Sequence, residues 1–241
     1  AIVDNVEYPA VRSIEVDELT NTVYVGGWFD TVNSNTTPTT RRNVAAFNGT
    51  TGAVTSFNPD IFVPNPENAI STIALDTNTN TLYVAGTFNR VNHNTTPVAR
   101  LNSAGFSTTT SIATSYNPNV SGGIDSIDID IETGQLWASG KIYGTGGTAR
   151  NGVAHIFSDG TLDTVFNPDI DGLVSSFAIA ESSNTIYIGG YFTTINVTTN
   201  PTNRYHLAAL DLTTGAVKSF NAGIELESFG VSTLAYDDTN N

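Results

Sequence analysis

Four times along the chain a strand-like motif recurs, Tyr or Trp followed by two small or apolar residues and Gly. The copies are Tyr24-Val25-Gly26-Gly27, Tyr83-Val84-Ala85-Gly86, Trp137-Ala138-Ser139-Gly140 and Tyr187-Ile188-Gly189-Gly190, spaced by 59, 54 and 50 residues. After each come an aromatic and an Asn-rich turn, an Arg, an apolar strand, and Phe-Asn-Pro-Asp or a variant of it. A chain repeated at this period folds as an array, in which each unit buries its apolar faces against its neighbours.

Inside each copy the apolar residues alternate with a period near two, and Gly, Asn, Asp and Pro punctuate every 8 to 12 residues, the pattern of short antiparallel strands. The first copy predicts strand a over 13–16, b over 22–29, c over 43–48 and d over 54–58. The a-to-b turns Asp17-Glu18-Leu19-Thr20-Asn21, Asp76-Thr77-Asn78-Thr79-Asn80 and Asp130-Ile131-Glu132-Thr133-Gly134 are rich in side chains that hydrogen-bond local backbone. Four-stranded units at this spacing predict an all-β chain, a β-propeller of four-stranded antiparallel blades. The blades fall at 10–62, 70–121, 124–171 and 174–224 of a single array spanning 1–241. Val231 to Asp237 repeats strand a once more, as an incomplete fifth blade over 229–241. The expectation is therefore four complete blades plus the first strand of a fifth, a partial ring of a larger protein or assembly.

The chain resembles bacterial propellers built of delta-sixty repeats and, more weakly, the fungal cortical polarity marker propellers. The resemblance rests on Leu82-Tyr83-Val84-Ala85-Gly86-Thr87-Phe88, on the Arg-x-x-x-Ala step and on Phe-Asn-Pro-Asp, and it covers nearly the whole chain. It implies a secreted or surface location more than an activity.

Composition narrows the partners. Nine basic against 23 acidic residues give a formal net charge of −14, which repels phosphate backbones and anionic lipid, so neither nucleic acid nor direct membrane insertion is expected. There is no Cys for a disulfide or a thiolate metal site, and with no Met the oxidation-sensitive side chains are missing altogether, which suits an extracellular life. The sequence opens on Ala1, read as a mature or partial chain.

Four of the nine basic residues, Arg41, Arg100, Arg150 and Arg204, hold one repeat position, each four residues before an Ala. A planar guanidinium with five donors suits tying loop carbonyls to the sheet edge, a structural role. Strand a departs from the repeat: one column reads Glu15, Ala74, Asp128, Ala178 and Ala235, and another Asp17, Asp76, Asp130, Ala180 and Asp237. With Asp125, the third copy places three carboxylates within six residues on the strand that lines a propeller channel. Glu15, Asp125, Asp128 and Asp130 are the ligand or cation candidates, Ca²⁺ being the hard cation such oxygens suit, against a plainer reading as turn caps and a solvated channel.

The b-to-c loops are the most individual segments, and Asn35, Thr36, His93, Asn94, Asn196 and Thr198 are the recognition candidates on them. Glycosylation sequons fall at Asn35, Asn94 and Asn196, with others at Asn48 and Asn119. No nucleophile elbow and no spaced histidine set is present, so no catalytic residue is assigned. The expected function is a non-catalytic extracellular propeller, a structural or adhesive recognition module of a cell-surface protein, filament or virion. Its partners would be other parts of a longer chain or surface assembly, and a protein or glycan ligand. The alternative is a carbohydrate-binding or carbohydrate-active propeller using Asp125, Asp128 and Glu15.

Overall fold

The computed structural model describes residues 10–33, 37–63, 69–92, 97–225 and 230–237. They form antiparallel sheets with no α-helix. In the first copy β1 (Ala10–Asp17), β2 (Thr22–Trp28), a ribbon of β3 (Thr31–Val32) and β4 (Thr39–Thr40), and β5 (Val44–Asn48) give the sheet order β1-β2-β5. The second repeats this with β6 (Ile70–Asp76), β7 (Thr81–Gly86), the ribbon β8 (Arg90–Val91) and β9 (Val98–Ala99), and β10 (Ser103–Ser107). In the third, β11 (Val120–Asp130) and β12 (Gln135–Thr145) are both eleven residues long, β13 (Thr148–Ala149) pairs the far end of β12, and β14 (Val153–Ile156) closes the sheet. The fourth comprises β15 (Leu173–Ala180), a 3₁₀ turn at Glu181–Ser183, β16 (Thr185–Tyr191), the ribbon β17 (Thr194–Ile195) and β18 (Thr202–Asn203), and β19 (Leu207–Asp211).

The expected fourth strand of each unit is reduced to one bridge: Phe47 with Val54, Phe106 with Ala113, Ile156 with Leu162 and Leu210 with Val217. Beyond that bridge the segment leaves the ladder, and the repeat arginine holds it instead. Arg41 Nη2 donates to Thr55 O at 2.6 Å, Arg100 to Thr114 O at 2.8 Å, Arg150 to Asp163 O at 2.9 Å and Arg204 to Lys218 O at 3.1 Å. The Nη1 of each also donates to the carbonyl of the preceding residue.

The two halves of the repeat motif meet at this outer edge. Tyr24 packs edge-on against Phe57 with centroids 5.3 Å apart, Tyr83 against Tyr116 at 5.0 Å, Trp137 against Phe166 at 4.8 Å and Tyr187 against Phe220 at 5.5 Å. Edge-to-face pairs are worth about 0.5–1.5 kcal/mol beyond the area they bury.

Three apolar clusters are each shared by two consecutive sheets. The first strand of each sheet packs on the sheet before it: β6 on β1 and β2, β11 on β6 and β7, β15 on β11 and β12. Gly26 belongs to this contact, since a Cβ there would lie 2.8 Å from Cγ2 of both Ile70 and Ile73. A fourth cluster, Val25, Phe29, Val32 and Ala45, lies within the first sheet alone. There the face buried elsewhere is open: Ile14 is 58% exposed, whereas Ile73 at the same position of the second sheet is 2% exposed.

The segment expected to start a fifth blade is not a strand over its described residues 230–237, but it seats on the fourth sheet as β6 seats on the first. Leu234 N donates to Ser176 Oγ at 3.1 Å, as Ile73 N does to Ser13 Oγ at 3.1 Å, and Tyr236 stacks on Tyr187 at 5.7 Å. Its backbone also donates from Val231 N to Gly190 O at 3.2 Å.

Phe166 is fully buried and Phe220 is 40% exposed, so truncating the two rings ranks them. Phe166→Ala is expected to cost about 3–5 kcal/mol and Phe220→Ala about 1–2 kcal/mol in urea denaturation; equal costs would contradict the shared-core architecture.

Candidate functional site

The first strand of every sheet carries a β-bulge at one place: the pairing register slips across Arg12, Ser71, Asp125 and Ser175. Opposite each bulge stands the last Gly of the repeat motif. A Cβ on Gly27 would lie 2.0 Å from Ala10 O, on Gly86 2.1 Å from Ala69 O, on Gly140 2.4 Å from Gly123 O and on Gly190 2.0 Å from Leu173 O. Glycine is thus the residue that lets the bulged backbone approach, and the bulge re-aims its side chain. Arg12, Ser71 and Asp125 line one cavity of about 370 Å³, completed by Thr87, Gly123, Ile124, Lys141 and Leu173. All four sheets therefore converge on a single central space.

Asp125 sits there with its carboxyl pushed up by burial and drawn back by the Arg12 guanidinium. Asp128 lies three residues further along β11, a rise of about 10 Å. Its carboxyl is also pushed up by burial, against the pull of the Ile129 N–H, which donates to it at 2.8 Å. Across the space, Glu15 is raised first by burial and then by the charge of Asp128. Both side chains reach solvent, but in a concave space between low-dielectric walls, which disfavours a second negative charge.

Asp130 is not part of this group. It caps the a-to-b turn: Oδ1 accepts Glu132 N at 2.9 Å and Thr133 N at 3.3 Å, and Oδ2 accepts the Thr133 hydroxyl. Burial alone would raise its carboxyl, yet these donors hold it below the usual range. Asp17 and Asp76 make the same turn. Among the described residues no three His, Asp or Glu side chains converge as a metal site, so the Ca²⁺ expectation acquires no ligand set.

Asn35, Thr36, His93 and Asn94 lie outside the described residues. Asn196 and Thr198 are pinned to the preceding unit. Asn196, in left-handed conformation at φ 57°, donates its N–H to Pro168 O at 2.7 Å, and Thr198 donates N–H and hydroxyl to Asp169 Oδ2 at 2.9 and 2.6 Å. Asn92 N to Pro59 O and Gly146 N to Pro118 O repeat the first link, so the Asn-Pro turn anchors the next unit's loop.

Two features escaped the sequence reading. Arg12 faces Asp125, and the bulge column Arg12, Ser71, Asp125, Ser175, Ser232 carried the signal, as the column in which opposite charges occur. The other is His155, stacked on Trp137 at 4.1 Å and 13°, its Nδ1 3.0 Å from Asp163 Oδ2. Burial opposes the charge on Asp163, but the His155 hydrogen bond and the backbone N–H of Val165 and Phe166 hold its carboxyl low. An ionised carboxylate can only accept, so His155 Nδ1 carries the proton. The other sheets have Ala46, Gly105 or Ala209 where His155 stands, the departure that marked it.

A carboxyl raised in the native state binds more protons than in the unfolded chain, so its cost to stability appears as pH rises through the raised value. Asp128→Asn, which keeps an acceptor for Ile129 N–H, is expected to raise the thermal midpoint at pH 7 by on the order of 2 °C. The gain should vanish below the ordinary value of 3.8, and thermal melts across pH check it. The same gain at pH 3 and pH 7 would refute an electrostatic origin.

No family model matches the sequence, and no curated protein matches it. Among solved structures, a chain of a nidogen/laminin complex aligns over 87% of this chain and 78% of its own, at 11% identity and a TM-score of 0.48. Among the described residues no helix is long and apolar enough to cross a membrane.

Proposed function

We propose that the chain is a β-propeller array of the delta-sixty-repeat kind, a non-catalytic recognition module acting outside the cell as a structural or adhesive part of a surface protein, filament or virion. One observation carries the reading. Residues that recur in every unit are spent on scaffold, while the charged departures on the first strands, Arg12, Glu15, Asp125 and Asp128, gather around the central space. The arginines tie the outer segment, the aromatic pairs fill the edge, and the glycines admit the bulges. Arg12, Asp125, Asp128, Glu15, Lys141 and Tyr191 change from unit to unit at fixed places. The open face around Ile14 is what an array with a further neighbouring blade would present. Net charge of −14 and the lack of Cys and Met fit life outside the cell.

Protease accessibility on intact source cells or particles tests this reading: the chain is expected to be cut without lysis, and a purely cytosolic distribution would defeat it.

The second reading, a carbohydrate-active propeller, is favoured by the two raised carboxyls of Glu15 and Asp128 facing each other from different sheets. Glycosidic chemistry needs such a pair, one of them kept protonated. Glycan hydrolysis abolished by Glu15→Gln and by Asp128→Asn is its expected result; binding without turnover excludes it.

A further inference from the structure

A second cavity of about 490 Å³ opens between the third and fourth sheets, beside the central space and sharing Lys141 and Leu173 with it. Its size falls among small-ligand sites. Ile142, Ile170 and Phe192 form an apolar floor, and Tyr143, Tyr191, Lys141 and Asp171 stand around it. The groove exists because the third unit departs from the repeat: its shortened loop lets β12 run to Thr145, carrying Tyr143 to a place where the other units have Asp30, Asn89 and Thr193.

We propose that this groove is a saccharide-binding site, with a pyranose ring laid against Tyr191 and Tyr143 and its hydroxyls divided between Lys141 and Asp171. The inference rests on the recognition-module reading and names its ligand class; it uses a different place from the central carboxylates.

Tyr191 is 62% and Tyr143 56% exposed, unusual for large rings lining a concave surface. Each is supported from behind. Tyr191 lies 5.5 Å from the buried imidazole of His206, and Tyr143 lies over Gly122, where a Cβ would come within 3.2 Å of its Cδ2. Rings already held in place lose little freedom when a ligand covers them.

The polar groups decide the ligand. Lys141 Nζ stands 6.0 Å from the Tyr143 centroid and forms no ion pair among the described residues, which leaves its three donors for a ligand. Asp171 accepts Thr193 N at 2.8 Å, Thr194 N at 3.0 Å and the Thr193 hydroxyl. Burial would raise its carboxyl, but these donors and the Thr194 hydroxyl hold it low, so Asp171 stands as an ionised acceptor. A donor-only group and an acceptor-only group across an apolar floor match a ligand whose hydroxyls both donate and accept and whose ring offers a C–H face. An alkyl chain would offer no acceptor to Lys141 and no donor to Asp171. A phosphorylated ligand would meet Asp171 within a chain of net charge −14.

The test titrates the purified chain calorimetrically with maltose, cellobiose, lactose, chitobiose and mannobiose, each to about 10 mM, a range that detects millimolar affinities. At least one disaccharide is expected to bind with Kd on the order of 0.1–1 mM. Tyr191→Ala and Tyr143→Ala should each weaken binding roughly tenfold, Tyr191→Phe should retain it, and Leu19→Ala, in an exposed turn of the first unit, should leave it unchanged. Because both rings are exposed, the alanine variants should melt with the parent chain, which separates lost binding from lost folding. Failure of every disaccharide to bind, or binding that survives both alanine variants, overturns the inference. An accessible chain on the cell surface that binds no saccharide defeats this inference alone, whereas a cytosolic chain that binds one defeats the module reading alone.

Discussion

The structure depends on cores that no unit owns. The three main apolar clusters each draw side chains from two consecutive sheets, so a three-stranded unit by itself exposes what it would bury. Folding of one unit and docking of the next are then one event, and the face that packs in the other units is the one exposed at Ile14. The edge aromatic pairs and the guanidinium ties serve the same end, keeping each sheet in the shape its neighbour must fit. The short outer segment matters less as a strand than as a strap under which Phe57, Tyr116 or Phe166 is held.

A second constraint, the close approach of bulge and glycine, organises the middle of the molecule. The same backbone contact occurs in all four sheets, and each time it turns one side chain out of the strand's alternation. Scaffold and variation are thus separated within a few residues of one strand: Ile14, Ile73, Ile127 and Phe177 face the preceding unit's position, while Arg12, Ser71 and Asp125 face the centre.

Strands a to c were legible because their alternation and turn residues are local properties. The outer segment was not, because periodicity cannot tell a ladder partner from a segment whose carbonyls are taken by Arg41 or Arg100. A bulge is equally hidden, since one extra residue reads as a lapse in alternation, and Arg12 was passed over for that reason. Column comparison picked out Asp128 and Glu15, whose charges do meet, but it also picked out Asp130, because an aspartate that caps a turn and one that faces a channel are the same letter. The variable loops suggested recognition at Asn196 and Thr198, which are instead bonded to the preceding turn, while the exposed rings Tyr143 and Tyr191 lie where one loop is shortest.

The bulge uncouples where a side chain points from what it is. Packing demands an apolar residue at Ile73 and no side chain at all at Gly86, whereas Ser71 faces the central space and donates its hydroxyl to Ala85 O at 3.1 Å and to Ile124 O of the next sheet. A basic, a neutral and an acidic residue occupy that place in successive units, and the bulge recurs at each. The electrostatic character of the lumen is therefore written in single letters at evenly spaced addresses. It can drift from cationic to anionic through substitutions that lie outside the apolar clusters, giving evolution a dial on the centre of the molecule.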